Sequence, residues 1–294
     1  MFKYIKTAFF IIFYAFVYMA VMLLCQSIFG LTLGGAGVPV MNLLDRGSPV
    51  DADRLSAAVD EMARLLDSYV LKNTGVIFSI SALISLLLFI QIFRARKIDL
   101  FSVIHMKGKP SGADMLYGAF AGASTNFVIS LILVGIQSLG FFKEAFSDYN
   151  AHMNQAFGSG NVLPLLLGVG IIVPAVEEIM FRGMISNELA RIMPLKTALI
   201  VQGVLFGLYH LVPLQICYTI PLGIYFGFIG YKSDSIWPAV SGHVAMNSIA
   251  VFLATPFIES AFIRYPETAF LFMTVSVVMF VCALAYFIRK KAHS

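Results

Sequence analysis

Long apolar runs separated by short polar segments dominate the chain. A helix needs about 20 mainly apolar residues to cross a bilayer. Eight runs reach that length: 8–29, 75–93, 115–139, 163–192, 196–212, 215–231, 235–255 and 268–288. The pattern predicts an all-α, polytopic transmembrane helix bundle of about eight spans, forming a single membrane domain over 1–294. The first run follows Lys3 and Lys6. It is longer than a signal-peptide core and no small-x-small cleavage site follows, so a retained helix is expected. The extracytoplasmic loop 31–74 has a period of its own. Leu55, Val59, Met62, Leu66 and Tyr69 recur at helical spacing, opposite Arg54, Asp60, Glu61, Arg64 and Asp67. This predicts an amphipathic helix on the membrane surface or on the bundle, starting near Pro49, Asp51 or Asp53.

Composition agrees with the pattern. Of 294 residues, 59% are hydrophobic and 12% charged, about half the charge of a soluble domain. The mean hydropathy of +0.87 leaves too little polar surface for a soluble enzyme or a disordered chain. A net charge of +4 calls for no nucleic acid. Cys25, Cys217 and Cys282 lie far apart in apolar runs, form no CxxC pair, and read as buried apolar residues.

Charge placement sets the expected orientation. With the N-terminus inside, 13 of the 20 Lys and Arg residues fall in inner segments. These are Lys3 and Lys6, Arg94 to Lys109, Arg191 and Lys196, Lys232, and Arg289 to Lys291. Loop 31–74 is net negative. The expectation is an integral, multi-pass protein of a bacterial plasma membrane, with both termini cytoplasmic.

Ionisable groups inside spans are costly, and each is a functional hypothesis by default. Here they cluster in three spans. Span four carries Glu177-Glu178 and Arg182, span five Phe206 and His210, and span seven His243 and Asn247. Glu178 and Arg182 are i and i+4 and can pair, leaving Glu177 on another face. His243 and Asn247 also share a face. If the chain turns at Pro194, Glu177 and His210 both lie 16 residues from the turn, about 24 Å along antiparallel helices. His243 falls nearer the inner boundary, and its depth relative to the other two is left open.

The set suits amide hydrolysis. A carboxylate beside an imidazole can take a proton from water near neutral pH. Donors from a third helix can hold the developing oxyanion. There is no HExxH motif and no intramembrane aspartate pair, and Gly158-Ser159-Gly160 reads as a loop turn. No cofactor is needed, although Glu177, His210 and His243 are competent zinc ligands. Asp114 reads as a helix cap, Asn126 and Gln137 as interhelical hydrogen-bonding groups, and Tyr209 and Tyr225 as packing or pocket lining. His105, His152 and His293 read as solvated loop residues.

Glu177-Glu178-x-x-x-Arg182, Phe206-x-x-x-His210 and His243-x-x-x-Asn247, in this order, resemble the three signatures of the CPBP family, the CAAX protease and bacteriocin-processing (Abi) intramembrane proteases. The resemblance covers about 160–255, the expected catalytic core. It implies an intramembrane endopeptidase acting on a membrane-associated protein or peptide. It also implies that Glu177 and His210 activate water, that His243 and Asn247 form the oxyanion site, and that Glu178, Arg182 and Phe206 support them. The alternatives are a non-proteolytic scaffold, immunity or regulatory partner, and a zinc protease using the same residues.

Overall fold

The computed structural model describes residues 2–33, 52–104, 109–140, 142–157, 161–255, 258, 260, 262 and 264–291. Arg46, Pro49, Asp51, His105, Lys107, the Gly158-Ser159-Gly160 turn and His293 lie outside them, as does the side chain of His152. The described residues are almost all helical, without strands. Six helices are long and apolar enough to cross a bilayer. They are α1 (Phe2–Leu33), α3 (Thr74–Ala95), α5 (Gly112–Ser138), α7 (Val162–Ala190), α9 (Pro213–Ser233) and α11 (Pro266–Arg289). Shorter elements join or cover them: α2 (Ala52–Lys72), α4 (Leu100–Ile104), α6 (Lys143–Phe157), α8 (Leu195–Tyr209) and α10 (Trp237–Leu253).

Two of the eight expected spans are therefore short. α8 has 15 residues and α10 has 17, about 22 and 25 Å, against a hydrocarbon core of about 30 Å. α8 stops early because Leu211 takes a positive φ of 62° and Pro213 starts the next helix. The count of eight crossings is not carried by helix length. The other six match their apolar runs.

The surface is apolar, as lipid demands. Phe9, Ile12 and Phe16 on α1, Leu87 on α3, and Phe270, Leu271 and Val278 on α11 are exposed. Cys217 and Cys282 are exposed too, contrary to the burial expected of them, while Cys25 is buried. Their runs are apolar because they face lipid and not because they form a core.

Inside, glycine brings helices together backbone to backbone. A Cβ on Gly122 of α5 would stand 1.7 Å from the Gly242 carbonyl oxygen of α10, and one on Gly118 would stand 2.2 Å from that of Pro238. Gly203 and Gly207 of α8 meet Gly223, Ile224 and Ile220 of α9 in the same way. Small residues at such crossings replace the hydrophobic drive that lipid removes.

The ends are pinned by charge. Ser111 and Asp114 form a capping box at the start of α5, and Asp114 also accepts from Tyr286 (3.0 Å) and Lys290 (2.6 Å) of the α11 end. Glu188 near the end of α7 pairs with Arg96 at 2.6 Å. Tyr14 bonds both partners, and the Arg96 guanidinium lies 3.7 Å over the Phe10 ring. α1, α3 and α7 are thereby tied on one face of the bundle. The amphipathic α2 lies across the other end, with Leu66 and Val70 against Gly30 of α1. Leu55 and Val59 stay exposed, and Arg64 holds the Glu61 carboxyl below its ordinary range at 2.7 Å.

Gly122→Leu is expected to lower stability by about 1–3 kcal/mol or to prevent folding, read by thermal unfolding in detergent. Gly135→Leu on the same helix, where an added Cβ meets nothing within 4 Å, should leave the melting curve in place.

Candidate active site

α7 is not a uniform helix. Leu166–Ile172 and Ile179–Ile185 are π-helical, flanking the α-helical turn Val173–Glu178 that carries both glutamates. Such wide turns recur at functional sites. Here Pro174 bears on the hydrogen bonds of the first. The Val173 N–H reaches back to the Gly168 carbonyl, five residues earlier. The next amide in that register, which would serve Val169, belongs to Pro174 and has no N–H. The Asn247 side-chain amide donates to the Val169 carbonyl instead, at 3.1 Å. Ser248 donates to the neighbouring Gly170 carbonyl at 3.2 Å. α10 therefore supplies the donor that Pro174 withholds, and adds a second bond beside it.

Glu178 is fully buried. Its Oε1 lies 2.8 Å from Arg182 Nη1, the i+4 pair expected from the sequence. The same oxygen accepts from His243 Nδ1 at 2.8 Å. His243 thus presents Nε2 on its far side, 3.9 Å from Glu177 Oε2. The open question of its depth is resolved: His243 lies level with the two glutamates. Arg182 also donates to the Gly223 carbonyl of α9 (3.2 Å), which Gln202 of α8 shares (2.9 Å).

Phe206 is the hub. Its ring stands edge-on to Phe181 (5.1 Å), His210 (4.9 Å) and His243 (5.7 Å), and the Arg182 guanidinium lies 4.4 Å over it. Phe226 stacks on His243 from the other side. His210 caps α8, where its Nδ1 bonds the Phe206 carbonyl at 2.9 Å. A carbonyl only accepts, so Nδ1 carries the hydrogen and the neutral ring keeps Nε2 as its acceptor.

Glu177, His210, His243 and Asn247 line one cavity of about 290 Å³. The antiparallel turn at Pro194 is present, and α8 starts there. Glu177 and His210 face this common space without a hydrogen bond between them. Among the described residues no three His, Cys, Asp or Glu side chains are gathered closely enough to hold a metal ion.

The cavity also has walls outside the motif segment. Asn126 of α5 lines it and donates to the Met246 carbonyl at 2.5 Å, the interhelical bond expected of it. Tyr149, Met153 and Phe157 of α6 cover it, and Tyr149 bonds Tyr218 of α9 through their hydroxyls at 3.1 Å. Sequence reasoning passed over α6. The signal was the spacing 146, 149, 153 and 157, an apolar stripe at helical period within a polar segment.

Arg182→Met is expected to cost about 3–5 kcal/mol, because Glu178 is left charged and buried with its strongest partner gone. Pairing it with Glu178→Gln should recover much of the loss, since the burden is the uncompensated charge. Equilibrium unfolding of the single and double variants measures both.

Residues 159–249 match the family model of the type II CAAX prenyl endopeptidases, Rce1-like. No curated protein and no solved structure matches the chain. Over the segment that carries the two glutamates, both histidines and Asn247, this integral membrane protein is similar to the type II CAAX prenyl endopeptidases, Rce1-like, of the CPBP family.

Proposed function

We propose that the protein is an intramembrane endopeptidase that hydrolyses a peptide bond with a water activated by Glu177 and His210. One observation carries this reading: four polar side chains from three helices of the family-matched segment line a single cavity inside an apolar bundle. A water between the Glu177 carboxylate and His210 Nε2 loses a proton to them as it attacks the carbonyl carbon. The proton then passes to the leaving amine. The products are a carboxylate and an amine, with no covalent intermediate.

Two donors oppose the glutamate. Asn247 uses one amide hydrogen on Val169 and keeps a second for the oxyanion. His243 bonds Glu178 through Nδ1, which turns Nε2 toward the cavity as the second donor to the oxyanion. Glu178 and Arg182 hold these groups in place from behind, and Phe206 does so as part of the cavity wall. The substrate is a membrane-associated protein or peptide, and the mechanism needs no metal. The basic ends of the helices support an orientation with both chain termini in the cytoplasm.

Glu177→Ala and His210→Ala are each expected to lower cleavage by at least 10²-fold while the protein stays folded in the membrane. Comparative proteomics of cells with wild-type and Glu177→Ala protein reads this directly: fragments present only with the wild type name the substrate. Fragments unchanged by Glu177→Ala would favour the scaffold or immunity role. Chelation should leave activity intact, and strong inhibition reversed by zinc would overturn the metal-free mechanism.

A further inference from the structure

Each helix around the cavity is packed toward one end and open toward the other. On α7, Val169 and Val173 line the cavity above Glu177, whereas Met180 and Met184 below it are fully buried. On α5, Ser130 and Leu133 line it, and Gly118 and Ala121, nearer the start, are buried. On α10, Met246 and Ala250 line it, and Ala239 and Val240 are buried. On α3 the lining residues Thr74 and Phe78 precede the buried Phe89 and Phe93. The open ends all lie on one side, where α1 finishes, α3 starts and α6 crosses.

α8 reinforces this asymmetry. It rises only about 22 Å from Leu195 and ends at His210. The non-helical backbone at 210–212 then lies within the depth of a bilayer. That is tolerated where backbone borders a cavity.

The two faces differ in charge. Segments joining helices at the open side (31–73, 139–161 and 254–267) carry six basic and ten acidic residues. Those at the closed side carry 13 basic residues against Asp99, Asp114, Glu188 and Asp234. Basic segments stay in the cytoplasm.

We infer that the cavity is entered from the extracytoplasmic face, so that the substrate is an outward-facing segment of an exported or membrane-anchored protein and not a cytoplasmic chain end. The acidic excess of the outer segments disfavours an acidic substrate segment and favours a neutral or basic one. This inference rests on the endopeptidase reading for the word substrate, while the sidedness of the cavity stands on the fold and the charges.

Single cysteines test the sidedness in a chain whose Cys25, Cys217 and Cys282 are replaced by Ala. Tyr149→Cys and Gln215→Cys sit on the cavity wall, and Lys196→Cys sits exposed on the closed side. A membrane-impermeant maleimide on intact cells is expected to label the first two. Lys196→Cys should react only after permeabilisation. The reverse pattern, or cavity cysteines that react only in permeabilised cells, would overturn the inference. The substrate side is read from the new chain ends that only wild-type cells contain. They should fall in extracytoplasmic segments, and ends in cytoplasmic segments would overturn it. If Glu177→Ala leaves all chain ends unchanged, the endopeptidase reading fails while the labelling still decides the sidedness.

Discussion

One carboxylate oxygen organises the centre of this molecule. Glu178 Oε1 is shared by Arg182 one turn along α7 and by His243 of α10, each at 2.8 Å. A bare charge at that depth would be prohibitive, and removing either partner leaves the other stranded. Arg182 extends the tie to Gly223 of α9, and Phe206 of α8 lies under its guanidinium. Four helices thus meet on a single buried charge pair. Its value is geometric: it fixes one direction for the His243 ring, and leaves Glu177 facing the cavity.

A backbone defect does complementary work. Pro174 withholds a hydrogen from α7 in a π-helical register, and Asn247 of α10 makes up the loss, with Ser248 bonding the next carbonyl. An unsatisfied carbonyl in lipid costs several kcal/mol, so the proline in effect docks α10 against α7. That docking holds Asn247 on the wall of the cavity that Glu177 also lines. The close glycine contacts at Gly118 and Gly122 permit the approach from the other side of α10. Chemistry at the site is therefore supported by groups that never face the cavity.

Much of the fold was legible from hydropathy, because lipid forces every spanning segment to be a long apolar helix with its hydrogen bonds satisfied internally. Legibility failed where that constraint relaxes. α8 and α10 have apolar flanks, so their runs look like full crossings, but Leu211 and the residues around Ala254 end them early. Cys217 and Cys282 were misplaced because an apolar neighbourhood in the sequence does not separate lipid from protein core. The Glu178–Arg182 pair was legible because it is local to one helix. The Glu178–His243 bond was not, since 65 residues separate the partners.

By itself the sequence determined the helical membrane class, the charge asymmetry of the two faces, and the short roster of polar residues that neither solubility nor topology requires. These are properties of composition and of local period, and the bilayer enforces both. Only the tertiary structure decided which of those residues touch. It put His243 level with Glu177, gave Phe206 its place between Arg182 and the two imidazoles, and laid the stripe of α6 over the cavity. Such contacts depend on the relative depth and rotation of helices distant along the chain. Those are set by backbone approach at glycines, by a missing amide at Pro174 and by one shared charge, none of which a hydropathy period records.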